Sequence, residues 1–118
     1  MAFKFENLEV WKLAIDVADD VNKLTKTFPK DEIFVLTSQM KRAADSISLN
    51  ISEGSTGQSS AEQCRFLGYA QRSALEVVNC LYLAQRRGYL ESEKFQQLYM
   101  QLEKLVIKVQ AFKKSISK

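Results

Sequence analysis

Glycine and proline are scarce in this chain, and their scarcity limits the number of turns that it can make. The 118 residues include 4 glycines and 1 proline, and a chain with so few turn-forming residues must build long elements. Apolar residues recur at steps of three or four along four segments, which is the period of an amphipathic α-helix. The breaks between the segments fall at Phe28-Pro29, after Gly54 and at Gly88. We therefore predict four helices, over about residues 7–27, 31–53, 60–87 and 92–117.

Short connections force neighbouring helices to run antiparallel. The sequence therefore predicts an all-α protein, an antiparallel up-down-up-down four-helix bundle that forms one domain over residues 1–118.

We expect Asn7 and Ser59 to be N-caps and Gly54 to follow the end of the second helix. The apolar face of that helix is expected to begin at Ile33. The core positions of the third helix are Leu67, Ala70, Ala74, Val77, Leu81 and Ala84. Cations suit the end of the last helix, where the chain has Lys113, Lys114 and Lys118.

The residues that most often support catalysis are missing. Histidine, the commonest general base and a common zinc ligand, is absent. Cys64 and Cys80 fall on one predicted helix about 24 Å apart, too far for a disulfide, so we expect free thiols and a cytoplasmic location. We expect no catalytic residue, metal, cofactor or small-molecule substrate. We also expect no membrane association, because no stretch approaches the roughly 18 apolar residues of a membrane span.

A polar stripe follows the second predicted helix. Its members recur at steps of three and four and span about 80° of the helix surface, about 110° from the centre of the apolar face. They are Gln39, Arg42, Ser46, Asn50 and Glu53. One interpretation is a half-buried network of hydrogen bonds to a neighbouring helix or subunit. The other is a contact with a ligand or nucleic acid.

Basic residues concentrate in the last three predicted helices. Up to Glu32 there are five basic and seven acidic residues, net −2, and from Ile33 onward there are twelve and seven, net +5. Arginines recur on the outward side of the third helix, where they form either a solvated face or a surface for backbone phosphates. The candidate nucleic-acid-binding residues are Lys41, Arg65, Arg72, Arg86 and Arg87.

The third predicted helix also carries more apolar residues than a monomeric bundle needs. Tyr69, Leu75, Tyr82 and Leu83 fall at positions where the helix of a simple bundle is polar. Surplus apolar surface of this kind indicates self-association. We therefore predict a homo-oligomer with these four residues in its interface.

Several segments resemble the bacterial four-helix bundle proteins encoded in intervening sequences of 23S ribosomal RNA genes, often labelled S23 ribosomal proteins. The segments are FENLEVW at 5–11, FP at 28–29, LTSQMKRAADSI at 36–47, NISEG at 50–54 and FL at 66–67. The resemblance implies a homopentamer. It also implies kinship with the accessory protein of diversity-generating retroelements, a basic pentamer that binds nucleic acid and a reverse transcriptase. The family motif covers the polar stripe and Gly54.

The chain departs from the family pattern in two places. It has Thr56-Gly57-Gln58 where the family usually has a Gly-Arg pair, and it has Ala70-Gln71-Arg72-Ser73 where the family tends to read Ala-Arg-Gly-Ser. Losing the loop arginine weakens a phosphate-binding role for that loop. We expect a non-catalytic oligomer, a pentamer, that binds RNA, DNA or a ribonucleoprotein through its basic residues. The alternative is a protein–protein adaptor or scaffold that does not bind nucleic acid.

Overall fold

The structure, a computed structural model, describes residues 2–117 and contains four long helices. They are α1 (Glu9–Thr25), α2 (Ser38–Gly54), α3 (Ser60–Arg86) and α4 (Ser92–Ile116). Short turns precede two of them: a 3₁₀ turn at Lys4–Asn7 before α1, then a 3₁₀ turn at Lys30–Glu32 and a π-helical turn at Ile33–Thr37 before α2. The molecule measures 44 × 23 × 22 Å, and its length agrees with 27 residues of α3 at about 1.5 Å each.

Each helix packs against two others, so the four close into a ring in the order α1, α2, α3, α4. Contacts between neighbours fix their directions. Glu9 near the start of α1 pairs with Lys108, whereas Asp20 accepts a hydrogen bond from Gln101 earlier in α4. Between α2 and α3, Ser73 is bonded to Ser46 while Phe66 approaches Gly54, so these two helices are antiparallel. Between α3 and α4, Gln71 is bonded to Gln110 and Cys64 to Lys113, which gives the same reversal. The predicted all-α, antiparallel bundle is confirmed.

The core lies between the helices and draws apolar side chains from each of them. All six predicted core positions of α3 are buried, at 1% exposure or less. Lysines occupy the last turn of α4 as predicted, at Lys113 and Lys114, while Lys118 lies outside the described residues. The heptad pattern of α3 therefore identified the inner face correctly.

Two of the three predicted caps are wrong. Ser59 is the N-cap of α3, and its Oγ accepts a hydrogen bond from the Glu62 backbone N–H at 3.1 Å. Asn7 is not a cap, because it ends the preceding 3₁₀ turn and Leu8 takes the N-cap position of α1. Gly54 is still helical and is buried as the last residue of α2. A Cβ there would lie 2.7 Å from the Phe66 Cβ, so the glycine serves the close approach of α2 to α3.

The start of the second helical segment also differs from the prediction. Ile33 is 47% exposed and does not begin the apolar face, which starts at the buried Leu36. The cause is the π-helical turn, which places more residues in a turn than an α-helix does and so rotates the side chains out of the expected register. As a result Phe34 and Val35 are also exposed, at 93% and 60%.

Candidate nucleic-acid interface

Three arginines lie along the outer face of α3. Arg65 and Arg72 are two helical turns apart, about 10.5 Å, and Arg86 follows about 21 Å further along. All three are exposed. Arg65 pairs with Glu62 one turn earlier, whereas Arg72 and Arg86 form no ion pair within residues 2–117. Two guanidinium groups of this row are therefore available to a partner.

Arg87 has a contact inside the chain. Its Nη1 pairs with the Glu32 Oε2 at 3.3 Å, and the Tyr89 hydroxyl donates to the same oxygen at 2.6 Å. The Tyr89 hydrogen bond is the main reason that the pKa of Glu32 is lowered. The same bond raises the pKa of Tyr89. This network ties the turn between α3 and α4 to the segment before α2, so Arg87 is partly engaged in structure.

The polar stripe of α2 divides into an inner and an outer part. Ser46 accepts a hydrogen bond from the Ser73 hydroxyl at 2.9 Å, and the Asn50 Nδ2 donates to the Ser46 carbonyl at 2.8 Å. The Ser73–Ser46 bond joins α2 to α3, whereas the Asn50 bond lies within α2. The outer members are exposed: Arg42, which donates to Ser38 within α2 at 3.1 Å, and Gln39 and Glu53. Lys41 is also exposed on α2.

A cleft of about 580 Å³ opens between the first half of α3 and the end of α4. It brings together residues that the sequence assigned to different roles: the candidate nucleic-acid residues Arg65 and Arg72, and the candidate interface residues Tyr69 and Leu75. Lys113 of α4 completes it. The sequence predicts Lys113 only at a helix end, because its position beside α3 depends on how the two helices pack.

The floor of the cleft is held by hydrogen bonds between α3 and α4. The Cys64 thiol lies 3.6 Å from the Lys113 carbonyl oxygen, to which it donates, and the Lys113 Nζ donates to the Gln71 Oε1 at 3.4 Å. The Gln71 Nε2 in turn donates to the Gln110 Oε1 at 2.7 Å. Gly68 leaves room for the ammonium group, since a Cβ there would lie 3.4 Å from the Lys113 Nζ.

The predicted oligomer-interface residues of α3 differ in how far another subunit could reach them. Leu75, Tyr82 and Tyr69 are exposed at 62%, 49% and 39%, although the Tyr82 ring also contacts Phe95 edge to face. Leu83 is half-buried and packs against the core of its own chain. Other exposed apolar residues were missed by the sequence analysis, chiefly on the π-helical turn and on α4: Phe34, Val35, Met100 and Ile107.

No group of three or more Cys, Asp and Glu side chains in residues 2–117 is arranged to hold a metal ion. Cys64 and Cys80 are free thiols, and burial raises the pKa of Cys80. In this part of the chain, no helix has the length and apolarity needed to cross a membrane.

The fold and this surface define a small antiparallel helical bundle with arginines along an outer helix face. Within that class, the chain belongs to the 23S rRNA-intervening sequence protein family, whose model matches residues 6–111. The resemblance seen in the sequence is thereby confirmed.

A solved structure of similar fold is that of a protein of unknown function from the S23 ribosomal protein family of Bacteroides thetaiotaomicron. The two chains are 24% identical, and their structures agree with a TM-score of 0.82 over 89% of this chain and 98% of the other. This likeness supports the fold and carries no activity with it. No curated protein shows significant similarity to the chain.

Proposed function

We propose that this chain is a non-catalytic, self-associating helical bundle that binds the phosphate backbone of RNA or DNA. The observation that carries the proposal is the row of exposed arginines on α3, in which Arg72 and Arg86 have no ion pair within the described residues. Other cations of the described residues are also unpaired, and what distinguishes Arg72 and Arg86 is their alignment with Arg65 along one face of α3. An unneutralised row of guanidinium groups suits a polyanion, because each phosphate contact releases counterions.

Binding of this kind is weak and insensitive to sequence. Phosphate contacts position a protein on nucleic acid, whereas sequence is read from base edges. A row of arginines on the outer face of a bundle contacts the backbone only. Non-specific dissociation constants are on the order of 10⁻⁴–10⁻⁶ M at physiological salt, and they rise steeply as salt is added. The net charge of +5 from Ile33 onward agrees with such a partner.

The test is a fluorescence anisotropy titration with labelled RNA and DNA between about 50 mM and about 200 mM salt. We expect binding at the lower concentration and a linear fall of log K with log salt concentration. Replacing Arg72 by Gln should reduce the slope by about 0.9 on duplex DNA and by about 0.7 on single strands. Lys23→Gln is the matched control, because Lys23 already pairs with Asp19 on α1. Absence of binding at about 50 mM salt would contradict the proposal.

We further propose that the functional unit is a homo-oligomer, as the homopentamer implied by the family resemblance would be. The exposed Tyr82 of α3 lies outside the cleft and supports it, as do the exposed Met100 and Ile107 of α4. Light scattering at micromolar concentration should give a mass near that of five 13.5 kDa chains, and Ile107→Lys should lower it. A mass of one chain would contradict self-association.

The free thiols of Cys64 and Cys80 support a reducing compartment such as the cytoplasm.

One observation favours the adaptor as a second candidate. Ile33, Phe34 and Val35 expose three consecutive apolar side chains at one end of the bundle, and Phe34 is 93% exposed. Such a patch suits a protein partner. A partner that stays bound after nuclease treatment, and is released by Phe34→Ser but not by Arg72→Gln, would favour the adaptor over the nucleic-acid-binding protein.

A further inference from the structure

We propose that the α3–α4 cleft binds a single nucleic-acid strand, with one phosphate between Arg72 and Lys113 and one base stacked on the Tyr69 ring. The inference rests on the proposed nucleic-acid function and makes it more specific. The strand would contact a cleft to which both α3 and α4 contribute, and not only the row of arginines on α3. It also selects unpaired strands over duplexes.

The charge of the cleft comes from cations that two helices contribute. Arg72 stands on α3 and Lys113 on α4, and neither forms an ion pair with a described carboxylate. Arg65 also lines the cleft but shares its charge with Glu62. Lys113 is partly ordered in advance by its hydrogen bond to Gln71 at 3.4 Å. A phosphate between the two cations would receive charge-assisted hydrogen bonds from both sides.

The stacking surface is the Tyr69 ring. Phe66 meets it nearly perpendicularly, at 83° with 5.6 Å between ring centroids, so the ring is supported on one side. The residue remains 39% exposed beside the cleft. Aromatic rings next to cations are the usual platform for unpaired bases, whereas the bases of a duplex are already stacked on one another. The combination of ring and cations therefore favours a single strand.

The cleft is a groove open to solvent, with a volume of about 580 Å³. An open groove suits one nucleotide unit of a longer flexible strand better than an enclosed small molecule, because most of a small ligand's surface is buried in its pocket. Gly68 lies within it, and a side chain longer than a hydrogen atom there would occupy the space beside Lys113.

A second copy of this chain is the competing occupant, because Tyr69 and Leu75 line the same cleft. The two free cations argue against it. Covering Arg72 and Lys113 with an apolar surface would remove two charges from water without a counterion, which is strongly unfavourable.

The experiment compares labelled oligo(dT) and oligo(U) with a duplex of equal length in anisotropy titrations. Tyr69→Leu should weaken single-strand binding at least about fivefold and leave duplex binding within about twofold. Arg72→Gln or Lys113→Gln should each lower the single-strand salt slope by about 0.7. Lys94→Gln removes the same charge from the far end of α4 and is the control for overall electrostatics.

Gly68→Gln gives a separate steric test that retains every charge. Glutamine is a better helix former than glycine, so α3 is expected to stay folded, which circular dichroism would check. If the cleft is the site, this variant should lose at least about fivefold in single-strand affinity, the scale of one lost stacked base. Asn79→Gln, on the outer face of α3 outside the cleft, is the matched neutral control.

The possible results separate this inference from the proposed function. If the wild-type chain binds nucleic acid and Arg72→Gln lowers the salt slope, but Tyr69→Leu, Lys113→Gln and Gly68→Gln behave like the control variants, the cleft assignment is overturned and the proposed function stands. If the wild-type chain binds neither single strands nor duplexes at low salt, both are overturned. If the cleft variants change the oligomer mass and leave single-strand affinity unchanged, a second copy occupies the cleft.

Discussion

The close approach of α2 to α3 at Gly54 can be tested by Gly54→Ala. Gly54 is helical and buried, and an added Cβ would lie 2.7 Å from the Phe66 Cβ and 3.5 Å from the Gln63 carbonyl oxygen. Ordinary van der Waals contact is 3.4–4 Å, so the two helices must separate locally. The obstacle is a Cβ fixed to the backbone of α3, which cannot swing away as the end of a long side chain can.

The magnitude follows from two opposing effects. Alanine favours a helix interior over glycine by up to about 1 kcal/mol, and by less at the last residue of a helix. Overpacking a tight contact costs about 1–3 kcal/mol. We expect Gly54→Ala to lower the free energy of unfolding by about 1–2 kcal/mol. For a chain of this length, that corresponds to a fall in Tm of about 4 °C for each kcal/mol.

Urea unfolding followed by circular dichroism measures this loss at fixed protein concentration, since self-association would couple stability to concentration. Gly68→Ala is the matched control on α3. Its Cβ would meet only the flexible Lys113 Nζ, at 3.4 Å, so helix propensity should dominate and stabilise the fold by about 0.5–1 kcal/mol. The packing argument is refuted if Gly54→Ala is as stable as the wild-type chain while Gly68→Ala gains stability.

Three further predictions concern polar groups inside or between helices. The Thr37 hydroxyl is buried without a partner in the described residues, so Thr37→Val should change the free energy of unfolding by less than about 0.5 kcal/mol or raise it. Thr25→Val loses hydrogen bonds to the Val21 and Asn22 carbonyls and should lower that free energy by about 1 kcal/mol; urea unfolding measures both. Because the folded-state pKa of Glu32 is lowered, its contribution to folding stability is complete above its ordinary pKa and is lost as pH falls through the lowered value. Glu32→Gln should therefore flatten the acid side of a Tm–pH profile, and an unchanged profile would contradict this. Because the folded-state pKa of Tyr89 is raised, its contribution is complete below its ordinary pKa and lost as pH rises through the raised value, so Tyr89→Phe should flatten the alkaline side of the same profile.

Features that depend on local periodicity could be predicted from the sequence. The buried positions of α3 follow from the heptad pattern alone, and the Ser59 cap follows from its spacing to Glu62. The exposed arginine row also follows from helix geometry. Each of these needs only neighbours within a few turns of one helix, where spacing determines which side chains share a face.

Features that depend on packing between helices could not be predicted from the sequence. A glycine near a helix end is usually a C-terminal cap, but Gly54 is needed because Phe66 lies against it from α3. Ile33 looked like a core residue because its spacing fits an α-helix, and a π-helical turn changed the register. Lys113 reached the cleft because the end of α4 lies beside the first half of α3. No local pattern carries this information.

We expect the arginine face of α3 to bind nucleic-acid backbone, and a salt titration of the double variant Arg72→Gln/Arg86→Gln measures its share of the binding. The double variant removes the two guanidinium groups that form no ion pair within residues 2–117. On a single-stranded oligonucleotide, we predict that the slope of log K against log salt concentration falls by about 1.4 relative to the wild-type chain. A slope equal to that of the wild-type chain, or no binding by the wild-type chain at low salt, would contradict it.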